Sequence, residues 1–197
     1  MTIEVTIAAL AFGLAAGSLI AIARVYGGRS LRTVTIIYIT LVRSLPEIVA
    51  LFLFVFVVGA VLPLPAEVAA ILALATISAA YQAEIIRGAV QSVGGGQMAA
   101  ARAIGMSQTQ AIRSIILPQA LRLALPAWSN EASGMVKASA LVYALGVPEL
   151  LREAEYVSAR TLDPFPPFLT AAAIYLILTV ATNQGLRALE RRVAIPT

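Results

Sequence analysis

The stretch IEVTIAALAFGLAAGSLIAIA, residues Ile3–Ala23, decides the class of fold. Glu4 is its one charged residue, and the run is long enough to cross a bilayer, which takes about 20 mostly apolar residues. The whole chain is similarly apolar, with 60% hydrophobic and 12% charged residues among 197. Soluble domains are roughly 45–50% apolar and about 25% charged. The sequence therefore predicts an all-α membrane protein.

Four further segments are apolar enough to span a membrane: Val34–Leu62, Glu67–Val90, Leu125–Val147 and Pro167–Leu186. Pro46 interrupts the first of these four, so we expect that span to be kinked or partly re-entrant. No Lys or Arg precedes the apolar run that begins at Ile3, which favours a retained helix over a cleaved signal peptide. We interpret residues 1–197 as a single transmembrane domain with five spans.

The positions of the basic residues predict the orientation of these spans. Ten of them fall in connections on one side of the predicted bundle: Arg24, Arg29, Arg32, Arg87, Arg102, Arg113, Arg122, Arg187, Arg191 and Arg192. Only Arg152 and Arg160 fall in connections on the other side. Because Lys and Arg are concentrated in cytoplasmic loops, we expect the N-terminus outside and the C-terminus in the cytoplasm. The net charge of +4 then reflects membrane topology rather than binding to nucleic acid.

Several kinds of chemistry lack their usual residues. The chain has no Cys and no His, so thiolate metal sites and the commonest general base are excluded. No Walker-type lysine motif is present, so any ATP would be bound by another chain. We therefore expect neither an enzyme nor a chain with a metal or cofactor of its own.

The connection between the third and fourth spans, at about residues 92–122, has a helical pattern of its own. Gln97–Ile104 is rich in Ala, and Gly105 suits the left-handed position that ends a helix. Ser107 and Gln110 form a capping-box pattern that starts a second helix. That helix has an apolar face at Ala111, Ile112, Ile115 and Ile116, and Pro118 interrupts its pattern. The sequence predicts two short helices joined by a glycine turn.

Three interpretations of this helix pair are possible. It could pack beneath the bundle, act as a DNA-binding helix-turn-helix, or dock into the groove of a partner protein. DNA binding is disfavoured because the pair is tethered between two spans and offers phosphates only Arg102 and Arg113.

A family resemblance decides between the other two. The spacing Ala99-Ala100-Ala101-x3-Gly105-x9-Ile115-x-Leu117-Pro118 resembles the EAA loop of ABC importer permeases. The resemblance implies that these residues form the coupling loop that contacts the ATPase subunits. Ala99 stands where the family has its leading Glu.

Further motifs narrow the resemblance to polar amino acid permeases of the histidine/arginine/glutamine type. They are Arg43-Ser44-Leu45-Pro46, Ala83-Glu84-Ile85-Ile86-Arg87-Gly88, Leu117-Pro118-Gln119-Ala120-Leu121-Arg122 and Val147-Pro148-Glu149-Leu150-Leu151. Many relatives have Lys-Asp where this chain has Lys137-Ala138, which weakens the inference of a strongly cationic cargo.

The resemblance implies a type I importer permease fold in a prokaryotic inner membrane. It implies three kinds of partner besides lipid: a second permease subunit, identical or not, two ATPase subunits that bind ATP and Mg²⁺, and an extracytoplasmic solute-binding protein. The expected cargo is a polar or basic amino acid. The alternatives are an ABC permease for methionine or an anion, a self-contained secondary transporter, and a membrane scaffold without transport activity. The absence of His and of an internal repeat disfavours the secondary transporter.

Charged residues within the predicted spans are expected to be functional or paired. Arg43 and Glu47 are four residues apart, so we predict a structural ion pair beside the Pro46 kink. Glu84 and Arg87 are three residues apart and predict a second structural ion pair.

The fourth predicted span holds the candidate substrate site. Asn130, Gly134 and Lys137 share one helical stripe, and Glu131 lies beside it. An amino acid carries a carboxylate and an ammonium, and these residues supply groups for both. Two interpretations stay open, namely substrate contact and structural pairing with a neighbouring helix or a second subunit.

Overall fold

The computed structural model describes residues 1–193, and residues 194–197, the end predicted to be cytoplasmic, lie outside it. Within residues 1–193 the regular secondary structure is all helical, without strands. Its α-helices are α1 Thr2–Tyr26, α2 Arg29–Ser44, α3 Glu47–Gly59, α4 Ala66–Ser92, α5 Gly95–Ala103, α6 Gln108–Ala111, α7 Leu117–Ala138, α8 Leu150–Thr161 and α9 Phe165–Val193. A π-helical segment, Ile112–Ile116, precedes α7, and a 3₁₀ segment, Ser139–Leu145, follows it. The predicted all-α membrane fold is confirmed.

Three helices, α1, α4 and α9, are long and apolar enough to cross a membrane. Two bent pairs bring the number to the predicted five if each pair is one span: α2 with α3, bent by 117°, and residues 108–145 with α8, bent by 51°. Helix α4 is central, because 61% of its apolar stretch is buried inside the protein. Helix α9 is peripheral, because only 6% of its apolar stretch is buried.

Close packing of α1 against α4 forms the centre of the bundle. A Cβ atom on Gly13 would lie 2.8 Å from the Cβ of Ser78, and one on Gly17 would lie 2.9 Å from the carbonyl oxygen of Ala79. Small residues let helix backbones approach closely, which is the usual basis of helix association in membranes. Much of the buried face of α4 is alanine for the same reason.

The second predicted span breaks between α2 and α3, at Leu45 and Pro46. Both residues have extended backbone, with ψ of 144° and 135°. Proline disfavours helical backbone in the residue before it, so α2 ends before Pro46 and α3 starts after it. The prediction of an Arg43–Glu47 ion pair is wrong, because the break separates the two residues and removes the i,i+4 geometry. Arg43 instead lies over the ring of Tyr81, 4.9 Å from its centroid.

The helix pair at residues 92–122 has the predicted turn. Gly105 has a φ of +86°, and Ser107 and Gln110 form both hydrogen bonds of the capping box. Pro118, predicted to interrupt the pattern of the second helix, lies in a helix that continues from α6 through the π-helical segment into α7. The Leu117 N–H donates to the carbonyl of Ile112, five residues back, and this wider turn leads into the proline.

The opposite end of the bundle is held by a buried carboxylate, Glu149. It accepts hydrogen bonds from the N–H groups of Leu151 and Arg152 and so caps α8, and it also accepts one from the Tyr175 hydroxyl of α9. The Leu150 N–H donates to Oγ1 of Thr2 at 3.0 Å, which ties α1 to the same corner. The connection predicted as an outer loop is therefore a helix with a charged cap.

Candidate functional site

Helix α7 places three of the predicted site residues on its open face. Asn130 and Lys137 are exposed, whereas Ser133 and Val136 pack inward. Outside α7 itself, no atom of the described residues lies within 4 Å of a Cβ built on Gly134. Lys137 has no ion-pair partner within residues 1–193. The stripe therefore faces away from the rest of this chain, inside a segment that belongs to a candidate span.

The fourth predicted site residue, Glu131, lies on the side of α7 that faces α4. Its Oε1 accepts a hydrogen bond from the Ser78 hydroxyl at 2.7 Å. Gln82 donates to the Ser78 oxygen at 2.9 Å and to the carbonyl of Leu10 at 3.1 Å. Trp128 Nε1 donates to Oε1 of Gln82 at 2.9 Å. A chain of hydrogen bonds thus joins α1, α4 and α7 behind the carboxylate.

Sequence reasoning missed three members of this network, namely Ser78, Gln82 and Trp128. Ser78 and Gln82 are completely buried. Their signal in the sequence was two polar residues four apart within a predicted span, which places them on one helical face. A buried polar side chain in a membrane helix needs a partner, and that requirement points to a second polar helix nearby.

A charged cluster lies near the end of α4 that leads into α5. Arg87 Nε donates to Glu84 Oε1 at 2.9 Å, which confirms the predicted pair. Arg24 of α1 also donates to the Glu84 carboxylate, so one acid is shared by two arginines. Arg24 was not foreseen, because it lies 60 residues away in sequence.

The predicted coupling residues divide into surface and packing positions. Ala101 is buried within the loop, and Ile115 is half-buried. The exposed positions are Ala99, Ala100, Gly105, Leu117 and Pro118. Ile104, which was not predicted as a contact, is 77% exposed beside the glycine turn. The loop thus presents a small apolar surface.

The molecule is a helical bundle with bent spans, polar groups on an open helix face and a paired-helix loop at one end. These features are typical of the permease class of membrane protein. Residues 13–195 match the family described as binding-protein-dependent transport system inner membrane component, and the chain belongs to this family. It is therefore the permease subunit of an ABC importer in a bacterial inner membrane, as predicted, and a transport subunit rather than an enzyme.

Similar proteins agree with this assignment. The octopine transport system permease protein of Rhizobium meliloti is 36% identical over 98% of this chain and 86% of its own length. A probable amino-acid permease protein of Bacillus subtilis is 35% identical over 91% of this chain and 82% of its own length. The histidine/lysine/arginine/ornithine permease protein of Escherichia coli strain K12 is 44% identical over 62% of this chain and 51% of its own length.

Solved structures show the same fold. A subunit of an amino acid ABC transporter, crystallised with histidines, superposes with a TM-score of 0.90 at 37% identity, covering 98% of this chain and 90% of that one. A subunit of an inward-facing methionine ABC transporter superposes with a TM-score of 0.83 at 22% identity, covering 98% and 93%. At that lower identity the second likeness concerns the fold alone.

Proposed function

We propose that this chain forms one side of the translocation path of an importer for a polar amino acid. The observation that carries the proposal is the open stripe of α7, where Asn130, Gly134 and Lys137 face away from the chain within a candidate span. Ionisable groups in membrane spans usually face a cavity or a partner. A water-filled path between two permease subunits supplies both.

The charges of α7 suit a zwitterionic cargo. Glu131 offers a carboxylate to the substrate ammonium, and its hydrogen-bond partner in this chain is the neutral hydroxyl of Ser78. Further along the same helix, Lys137 offers a cation that the cargo carboxylate meets at another point of the path. Asn130 adds an amide, and Gly134 leaves room for close approach of the cargo to the backbone. The amino acid permeases among the relatives support this class of cargo.

The loop at residues 92–122 is proposed to couple the path to ATP hydrolysis on two partner subunits, which would bind ATP and Mg²⁺. Its exposed small and apolar residues, Ala99, Ala100 and Leu117 among them, fit a docking contact rather than an ionic one. With a second permease subunit and an extracytoplasmic solute-binding protein, the assembly would import its cargo. The orientation that this requires places residues 92–122 in the cytoplasm.

Uptake by the whole assembly tests the proposal. The chain would be co-expressed with the ATPase, the second permease and the binding protein, and reconstituted in vesicles. We expect ATP-dependent accumulation of at least one of L-glutamine, L-histidine and L-arginine. Accumulation of L-methionine or sulfate alone would assign the cargo to another class. Uptake driven by an ion gradient without the ATPase would contradict the proposal as a whole.

A further inference from the structure

Two opposite charges approach the same turns of α4 from different helices. Arg43, in the last turn of α2, lies over the Tyr81 ring, with 4.9 Å between its guanidinium carbon and the ring centroid. Glu131, on α7, accepts a hydrogen bond from Ser78 at 2.7 Å. Ser78 and Tyr81 are three residues apart on α4 and therefore share a face. Glu47, at the start of α3, and Arg43 both lie near enough to Glu131 for their charges to act on its carboxylate.

Neither charge forms a salt bridge in the part of the chain that the structure describes. Glu84, the acid one turn further along α4, already pairs with Arg24 and Arg87. The guanidinium of Arg43 rests on an aromatic face, which supports a cation but leaves its hydrogen-bond donors free. An arginine and a carboxylate are thus presented together without neutralising each other through an ion pair.

The position of Arg43 and Glu131 along the bundle indicates that they line a water-filled cavity. Ser78 and Tyr81 occupy the middle turns of α4, a helix long enough to cross the membrane. The helix break at Leu45 and Pro46 lies directly beside Arg43, and both residues are exposed in this chain. Non-helical backbone at membrane depth occurs only where protein covers it or where it lines a water-filled cavity. Substrate sites of transporters are commonly built at such breaks.

We infer that Arg43, supported by Tyr81, binds the α-carboxylate of the transported amino acid while Glu131 binds its ammonium group. This inference rests on the proposed function and adds the residue that distinguishes an amino acid from an amine. A guanidinium matches a carboxylate in shape, because its planar N–H groups form two parallel hydrogen bonds. Lys137 is turned about 120° from Glu131 around α7, so it meets the cargo elsewhere on the path.

The test compares amino acids with their α-carboxamides, which keep the ammonium group and lose the carboxylate charge. The purified complex of permeases and ATPases, without the binding protein, would be placed in lipid nanodiscs. Equilibrium binding of L-glutamine, L-histidine and L-arginine and of their carboxamides would then be measured. We expect the wild type to prefer the amino acid by about tenfold or more, the value of a charge-assisted hydrogen bond. In Arg43→Gln this preference should disappear because the amino acid binds as weakly as its carboxamide.

Arg32→Gln provides the matched control, since it removes an exposed arginine from the first turn of the same helix. It should retain the wild-type preference. The inference would be overturned if Arg43→Gln keeps an undiminished preference for the amino acid, whatever the effect of Lys137→Met. A wild-type complex that neither binds nor imports any of the three amino acids would instead refute the proposed function.

Two further variants keep the test decisive if Arg43→Gln does not assemble. Arg43→Lys retains the charge and should retain the preference for the carboxylate with weaker binding, so its loss in an assembled complex would overturn the inference. Tyr81→Leu removes the aromatic support and should reduce binding of the amino acid more than binding of the carboxamide. Equal effects on both ligands would contradict the supporting role of Tyr81.

Discussion

The hydroxyl of Ser78 donates a hydrogen bond to Oε1 of Glu131 across 2.7 Å, and this contact joins α4 to α7. Gln82 and Trp128 extend it into a network that holds both helices. A neutral donor orients the carboxylate without cancelling its charge, so the charge remains available to a cargo. The hydrogen-bond network therefore fixes the position of the Glu131 side chain, and its ionisable carboxylate is the group offered to the cargo.

Glu131→Gln should abolish most transport without disrupting the bundle. Glutamine has the same shape, and its amide oxygen can still accept the hydrogen bond from Ser78. We expect normal assembly and basal ATP hydrolysis, but uptake reduced by about tenfold or more through loss of a charged contact. Glu153→Gln, at an exposed position of α8, is the control. Wild-type apparent affinity in Glu131→Gln would exclude this carboxylate from the path.

Lys137→Met should lower uptake at ordinary substrate concentrations while the complex assembles normally. Methionine keeps much of the length and apolar packing of lysine and removes its cation. Uptake kinetics in vesicles would measure transport, and size-exclusion chromatography of the complex would measure assembly. If Lys137→Met instead fails to assemble, the cation pairs with another subunit and its role is structural.

Gly105→Val should uncouple the permease from ATP hydrolysis. Gly105 has a φ of +86°, and a residue with a Cβ is disfavoured there by about 1–2 kcal/mol. We expect the variant to insert in the membrane but to lose transport and substrate-stimulated ATPase activity. Gly96→Val is the matched control, because Gly96 lies in α5 at ordinary helical φ with open space around it. Unchanged stimulated hydrolysis in Gly105→Val would remove the turn from the coupling mechanism.

Gly13→Ala should destabilise the packing of α1 against α4. The added methyl group would lie 2.8 Å from the Cβ of Ser78 and 2.9 Å from Nε2 of Gln82, both of them buried. Overpacking of this kind costs about 1–3 kcal/mol. Thermal unfolding in detergent should therefore occur at a lower temperature. The same change at Gly185 of α9, which has open space around it among the described residues, should leave the midpoint unchanged or raise it. Equal midpoints for the wild type and Gly13→Ala would show that the two helices can separate at little cost.

The predicted orientation can be measured with a reporter enzyme that is active only in the cytoplasm. A fusion after Val193 should be active, and a fusion at Asp163 should be inactive, because arginines predict the first position inside and the second outside. The reverse pattern would place residues 92–122 outside the cell and contradict their coupling role.

Local features of this protein were determined by the sequence itself. The left-handed turn at Gly105, the capping box of Ser107 and Gln110, and the Glu84–Arg87 pair each depend on residues within one helical turn of each other. The membrane-spanning segments follow from their apolar composition, since the bilayer requires each helix to satisfy its own backbone. Such features can be predicted because the interacting groups are neighbours in the chain.

Tertiary structure alone decided which distant groups meet. Arg43 lies on Tyr81 rather than beside Glu47, because the direction of the chain after Pro46 is set by packing of α3 on α4. The helix that continues through Pro118 likewise depends on a π turn that local propensity does not predict. Glu131 is held by Ser78, 53 residues away in sequence, because α4 and α7 pack together. Contacts of this kind depend on packing across the whole bundle, and no residue pattern within one segment specifies them.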